Sequence, residues 1–481
     1  MRRISALCAA LLAIAPVAHA EPAADPVLLV SDALLFTVAP TQPDPFMGWF
    51  SVDASGRIGA IGRGAPPATL HARDRLDAHG HWIMPGFISA HSHLWQAAYR
   101  GLAPDSTLSG WLGALYGQQA PRAETADFYW FTLYGGLDHL AHGITAAYDF
   151  NLGRPDPARA AATDGVETID RLNFRGEADS GIRFVHGLDA SDGPDHTIEA
   201  ARAHVGGFLA WAATQPGHER MLSVMINGSA GFRPTPQQAV VEASLMREFH
   251  LSNQSHYLEE PVRVAEQQAR FVNFESSGLL DADLGPRLIF GHFIHTNPAI
   301  LAKAAAAHAA MAWNPLSNGR LASGVADIPA YLKAGLRVGM GVDGEASADL
   351  ADPFENMRAG LYAIRDRHES ADAMTPRDVV RLHTLGSADV LGVADRLGSL
   401  EPGKFADFLV IDPTHFAHVY DPYATLVFVA AEPDLEAVYV GGRRMVEHGR
   451  PLHQDLDRVE REVNQRVALS LKKPEPPAKW P

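Results

Sequence analysis

Met84-Pro-Gly-Phe-Ile-Ser-Ala-His91-Ser-His93-Leu-Trp-Gln96 is the stretch on which the reading of this chain turns. Its apolar run, Phe87 to Ala90, reads as a short buried strand that ends in two histidines. Side chains two apart on a strand point to the same face, so both imidazoles can reach one metal ion from a single strand end. The pair alone says little. The chain holds 23 histidines, and a second such pair, His79-Gly-His81, sits just upstream. What singles out His91 and His93 is the order of elements around them.

Upstream, residues 26–83 alternate short apolar runs with turns, as in Leu34-Leu-Phe-Thr-Val38 and Ser55-Gly-Arg-Ile-Gly-Ala-Ile-Gly62, which predicts a small antiparallel β unit. Downstream, strand-like runs alternate with helical stretches, the pattern of parallel strands and βα units. Eight strands are expected at 86–91, 143–149, 182–188, 221–227, 250–256, 287–293, 308–314 and 336–343. Eight such units over roughly 300 residues have the size of a (β/α)8 barrel. After Leu397-Gly-Ser-Leu-Glu-Pro-Gly403 the chain returns to short strands. The expected class is therefore α/β, a TIM-like (β/α)8 barrel over 85–395. Segments 21–84 and 396–453 would form the two halves of a small β-sandwich. Residues 454–481 supply a C-terminal helix, with Leu456, Val459 and Val463 on one face, and a tail. That helix is expected to pack on the domain, with a homo-oligomer contact as the alternative.

Hydrophobic content of 47% and charged content of 20% are ordinary for a folded globular chain of 481 residues. A formal net charge of -16 argues against a nucleic-acid partner, because phosphate binding needs a basic face.

Residues 1–20 have the pattern of a secretory signal: Arg2-Arg3, an apolar run from Ile4 to Ala18, then Ala18-His19-Ala20 as a small-x-small cleavage site. Export to a periplasm or beyond is expected, with cleavage after Ala20 and no membrane anchor left behind. Intact mass of exported protein should show Glu21 as the first residue; a retained Met1 would refute this. The single cysteine, Cys8, lies in that segment. The remaining chain has no thiolate to offer, so a metal must be held by His and carboxylate.

In a barrel of this kind active residues belong at strand C-terminal ends. There the sequence places His91 and His93, then His256-Tyr-Leu-Glu259, His292-Phe-Ile-His295 and Asp343-Gly344. Three imidazoles and a carboxylate at one barrel mouth suit a single divalent metal with one position open for water. His292 and His295 compete for one role, and either can serve as a core histidine. His139 and His142 are expected to favour a helix C-terminus rather than bind anything.

Taken together and in this order, Pro85-Gly-Phe-Ile-Ser-Ala-His-Ser-His93, His256-Tyr-Leu-Glu259, Asn314-Pro-Leu-Ser-Asn318 and Gly341-Val-Asp-Gly344 resemble the amidohydrolase superfamily of metal-dependent hydrolases. The likeness covers nearly all of the chain after residue 20. Arg100-Gly-Leu-Ala-Pro-Asp105, with Leu108 and Trp111-Leu112, resembles the branch of cytosine deaminases, S-adenosylhomocysteine/methylthioadenosine deaminases and triazine chlorohydrolases. The resemblance implies His91, His93, His256 and Asp343 as ligands of one divalent metal, zinc first, with iron or manganese as alternatives. It implies Glu259 as the acid that protonates a substrate ring nitrogen and His292 as the group that orients the attacking hydroxide. Asp343 would take the water proton. Many two-metal members bridge their metals with a carboxylated lysine on the fourth strand. This chain has no lysine before Lys303, which points to one metal.

Trp95, Phe232, Arg233 and Asn314 are the candidates for touching substrate. Core packing is the alternative for Trp95, and Asn314 can equally shape the loop after strand seven. Members of that branch acting on nucleosides carry a Pro-x-Glu after the Trp-Leu pair, for the ribose. Here the matching place is Gln118-Gln119-Ala120, unless the alignment slips to Glu124. The sequence therefore predicts a hydrolase of non-peptide carbon–nitrogen bonds in a small molecule, foremost a deaminase of a cyclic amidine or heteroaromatic amine. The same site acting on an amide, a cyclic amide or a carbon–halogen bond is one alternative. A non-catalytic exported binding protein is another, and a retained Glu259 speaks against it.

Overall fold

The computed structural model describes residues 26–152, 168–190 and 197–476, so the expected signal segment lies outside the described residues. Eight parallel strands run in chain order: β1 Phe87–His93, β2 Ile144–Asp149, β3 Arg183–Leu188, β4 Met221–Gly228, β5 Ser252–Tyr257, β6 Leu288–His292, β7 Ala310–Trp313 and β8 Arg337–Met340. Each falls where the βα alternation predicted one. The sheet closes on itself just past β8, where Asp343 and Gly344 pair with Ser92 and His93 of β1. Helices on the outside cover the sheet, and β1, β2 and β3 are buried at every position, as a parallel sheet packed on both faces must be.

One local feature of β1 decides where its histidines point. Ile88 and Ala90 pack in the barrel interior with Ala146, Tyr148, Met225 and Ile289. Strict alternation would then turn His91 and His93 outward. The pairing of β1 with β2 shifts register between Ser89 and Ser92 instead. This bulge turns His91 and His93 inward and Ser92 outward, where its Oγ meets His139 Nε2 at 3.0 Å. Bulges of this kind re-aim side chains next to active sites. The strand runs two residues past the expected bound of 91, so both imidazoles at its end lie within it.

The smaller unit is a branched nine-stranded sheet. Leu28–Leu35 is the branch point: its first half pairs with Asp74–Asp77 and its second half with Trp82–Ile83. Phe408–Ile411 then pairs antiparallel with Trp82–Pro85, joining the C-terminal strands to the N-terminal ones. The two arms share a core that includes Val30, Phe50, Val52, Phe408, Val410 and Tyr439, which is the sandwich expected from the sequence. Gly86 leads straight from this unit into β1. A Cβ there would stand 2.1 Å from Thr145 Oγ1, so no larger residue fits the passage.

The C-terminal helix, Leu456–Ser470, buries Val459 and Val463 in an aromatic cluster with Phe128 and Phe131 of the helix Asp127–Ala141. Arg466 clamps it to Asp127 at 2.8 Å. Among the described residues no helix is long and apolar enough to cross a membrane.

Candidate metal centre and catalytic site

The C-terminal ends of β1, β5, β6 and β8 bring His93, His256, His292, Glu259 and Asp343 to one cavity mouth, with His91 buried beside Asp343. His91 is wholly buried, and His93, His292, Glu259 and Asp343 nearly so. Asp343 Oδ1 lies 3.3 Å from both His91 Nε2 and His93 Nε2. His256 Nε2 lies 3.3 Å from His93 Nε2. Ligand atoms about 2.0–2.1 Å from a tetrahedral metal stand roughly 3.3 Å apart, so these spacings fit a shared ion.

The hydrogen bonds behind the ligands agree with that fit. Gln254 donates from Nε2 to Ala90 O at 2.9 Å, which turns its Oε1 to accept from His91 Nδ1. His93 Nδ1 donates to Phe150 O at 2.8 Å. Both rings thus keep the proton on Nδ1 and turn a bare Nε2 inward. His91 Nε2 is buried and has no hydrogen-bond partner among the described residues. Burial, with His91, His93 and His292 adding to it, holds His256 well below its usual pKa, and burial lowers His93 as well. Two neutral imidazole nitrogens facing each other, beside a carboxylate and an orphaned third nitrogen, suit a divalent cation and little else.

Asp343 is aimed by two hydroxyls, Ser317 Oγ at 2.6 Å and Ser347 Oγ at 3.0 Å, both donating to Oδ2. Its Oδ1 is left for the centre. Burial raises this carboxyl, but the neighbouring imidazoles of His91, His93 and His292 outweigh it and hold the group well below the usual range. Glu259 shows the opposite balance. Burial, then Asp343 and Glu260, push it well above its ordinary value, so it holds its proton more firmly than a free carboxyl. Its Oε2 lies 3.6 Å from His292 Nε2. Burial brings His292 down to about 3, and Asn318 Nδ2 donates to its Nδ1 at 2.9 Å. A neutral ring with Nδ1 accepting must present Nε2–H to the cavity.

Leu258, His292 and Asp343 all have left-handed backbones, with φ of 56°, 68° and 61°. Such conformations cost roughly 1–3 kcal/mol each and gather at functional sites. Here they turn the chain sharply at three strand ends, next to the groups that would hold metal and proton.

Two of the four substrate-contact candidates lie elsewhere. Trp95 is fully buried among Tyr99, Tyr116 and Phe128 and does not line the cavity. Its large apolar ring is core, with Tyr116 standing in front of it. Asn314 lies behind His292, its Nδ2 3.4 Å from Nδ1, and is shielded from the cavity. Phe232 and Arg233 do line the cavity, and the Phe232 ring sits 5.8 Å from His256. His295 is turned away and bonds Ser323 O at 2.7 Å, which leaves His292 as the imidazole in the site. His139 is no mere helix-end cation. It is buried between Gly135 O, Ser92 and Glu345, and it braces β1 from outside. Gln254 and Ser347 support the site without belonging to any of the sequence motifs, while Ser317 and Asn318, from the motif after strand seven, bond Asp343 and His292. Gln254 had a signal, since it stands two residues before His256 on the same strand face.

The amidohydrolase family model matches residues 82–445. The chain belongs to the amidohydrolase family. It is 26% identical over 453 residues to a 5-methylthioadenosine/S-adenosylhomocysteine deaminase of Desulforudis audaxviator, covering 92% of this chain and 99% of that one. Among solved structures it is similar to a zinc-bound adenosine deaminase from Xanthomonas campestris, with a TM-score of 0.79, 20% identity and coverage of 94% and 100%. An atrazine chlorohydrolase from Arthrobacter aurescens, also with zinc, gives a TM-score of 0.77 at 22% identity, covering 92% and 100%. At these identities the structural likeness establishes the barrel and its small sheet domain. This amidohydrolase is a hydrolytic enzyme whose His and Asp cluster fits a divalent metal. The end of its β4 offers Asn227, which accepts from Tyr148 Oη at 2.7 Å.

Proposed function

We propose that this chain is a single-metal deaminase that replaces the amino group of a cyclic amidine or heteroaromatic ring with oxygen, and that its metal is zinc. One observation carries the reading: two carboxyls face the same cavity, Glu259 in surroundings that favour its protonated form and Asp343 in surroundings that favour its ionised form. Ring deamination needs that division, because water must lose a proton while the ring nitrogen beside the attacked carbon gains one. A bound divalent metal supplies acidification of a water toward neutrality. Asp343 takes the proton of the attacking water through Oδ1. Glu259 delivers its proton to the ring nitrogen. His292, through Nε2–H, donates to the oxygen as it adds, a contact that strengthens as charge develops. The amino group then departs as ammonia with the proton held by Asp343 while the added hydroxyl returns its proton to Glu259, leaving a ring carbonyl beside an N–H. Water and the aminated ring are consumed, and no oxidant or other reactant enters.

The deaminase names of relatives along nearly the whole chain support this class. A ribose-anchored nucleoside is a poorer fit. Gln118 and Gln119 do not line the cavity, and Glu124 is engaged by Lys473. The test is to assay purified protein on aminated heterocycles, simple amides and chlorinated heterocycles while measuring ammonia and chloride. Ammonia from aminated rings is expected. Chloride release, or amide cleavage without ring deamination, would overturn the proposal.

A further inference from the structure

We infer that the substrate of this site carries an oxyanion, a carboxylate or phosphate, at the end away from the reacting ring, and that Arg233, Arg263 and Arg270 receive it. The inference rests on the ring-hydrolysing site proposed above and adds the chemistry of the substrate's other end. The cavity over the candidate metal centre measures about 690 Å³. That is several times the volume of a bare heteroaromatic base and lies in the range of pockets that take drug-sized ligands. Something must accompany the ring.

The charged residues that line the cavity say what that is. Arg233 comes from the loop after β4, Arg263 and Arg270 from the segment after β5, and all three line the cavity with Glu259 and His256. Glu260, Glu266 and Asp189 line it as well. Yet among the described residues no ion pair joins any of these carboxylates to the three arginines, and Glu260 accepts instead from Ser109 Oγ. In a chain of net charge -16 three guanidinium groups thus share one mouth without a carboxylate partner of their own.

Their backbones are held in place. Asn273 Nδ2 donates to Ala230 O at 3.2 Å and to Arg233 O at 2.8 Å. Arg270 Nη1 reaches Gly231 O at 3.4 Å, so it braces the loop that carries Arg233. Gln267 Nε2 donates to Glu260 O at 2.8 Å and to Val262 O at 2.7 Å, which fixes the turn before Arg263. At that turn Arg263 itself is left-handed, with φ of 49°. A long β-carbon-bearing residue in this conformation is unfavourable unless its surroundings impose it. Two pinned loops thus bring guanidinium groups with no carboxylate partner to one cavity, a lining suited to a planar or tetrahedral oxyanion.

Binding tests this without requiring turnover. The probes are three oxo-ring ligands with the same heterocycle and chain length, ending in a carboxylate, a phosphate or a primary alcohol. Calorimetry on the metal-loaded protein should show an anionic ligand binding about 10–100-fold tighter than the alcohol, the range expected for charge-assisted hydrogen bonds. Added salt should narrow the gap. Which anion binds better identifies carboxylate or phosphate as the natural group. In Arg233→Ala/Arg263→Ala, whose side chains make no described contacts, the preference should fall toward one, and Arg263→Glu should reverse it. Equal affinity of all three ligands for the wild-type protein, or a preference that survives in the double variant, overturns the inference. Neither result touches the proposed reaction, which stands or falls on ammonia release.

Discussion

Glu259→Gln should lower kcat on the best aminated ring by on the order of 10²–10⁴-fold while leaving metal content unchanged. The side chain lines the cavity and makes no hydrogen bond or ion pair with His91, His93 or His256 among the described residues; its Oε2 stands 3.6 Å from His292 Nε2. Glutamine keeps the shape and loses the proton. Because the ring nitrogen becomes basic only as the oxygen adds, the lost contact belongs to the transition state, and the effect should fall on kcat more than on KM. A simple amide gives Glu259 no ring nitrogen to protonate and should be affected far less. The pH profile carries its own sign. A carboxyl held well above its usual pKa keeps its proton to higher pH than a free glutamic acid, so its contribution to kcat is full on the acid side of that raised value. It is lost as pH rises through the raised value. Wild type should therefore show an alkaline fall in kcat that the glutamine variant lacks. Undiminished ring turnover by Glu259→Gln would remove this residue from the mechanism and favour the amide reading.

The barrel was legible because its cause is local. Strand-length apolar runs separated by helical stretches admit few arrangements, and the eight runs could be placed before any contact was known. The positions of His91, His93, His256, His292, Glu259 and Asp343 were legible because strand ends in a closed barrel converge whatever lies between them. What could not be read depends on contacts across the molecule. The bulge between Ser89 and Ser92 is a property of pairing with β2 rather than of β1 alone, and without it the two imidazoles would face the outer helices. Gln254, Ser317 and Ser347 earn their places by touching residues from other strands, to which local pattern is blind. Trp95 was ambiguous for a related reason. Two residues past His93, it could have faced the cavity or the core, and the ring of Tyr116 settles it for the core.

Elemental analysis of protein purified without chelators should find about one divalent metal per chain, and His256→Ala should lose both metal and activity. The geometry offers two overlapping groups, His91 with His93 and His256, and His91 with His292 and Asp343. They share His91, which has a single free nitrogen because Nδ1 is committed to Gln254. Two ions would have to compete for that one lone pair. Nor is there a lysine at the end of β4 to bridge them, since Asn227 is bound to Tyr148. His292, with Nδ1 accepting from Asn318, turns a protonated nitrogen inward and is no ligand for a second ion. His256 is the ligand whose removal tests this most cleanly. It comes from β5, across the barrel from β1, and no hydrogen bond ties its Nδ1 among the described residues. Alanine there removes one of four donors without disturbing the Gln254 and Phe150 bonds that orient His91 and His93. The variant should keep its far-ultraviolet circular dichroism while metal content and turnover fall together. Two tightly held metals per wild-type chain would overturn the single-ion reading. Full metal content in His256→Ala would show that the centre is built on His292 instead.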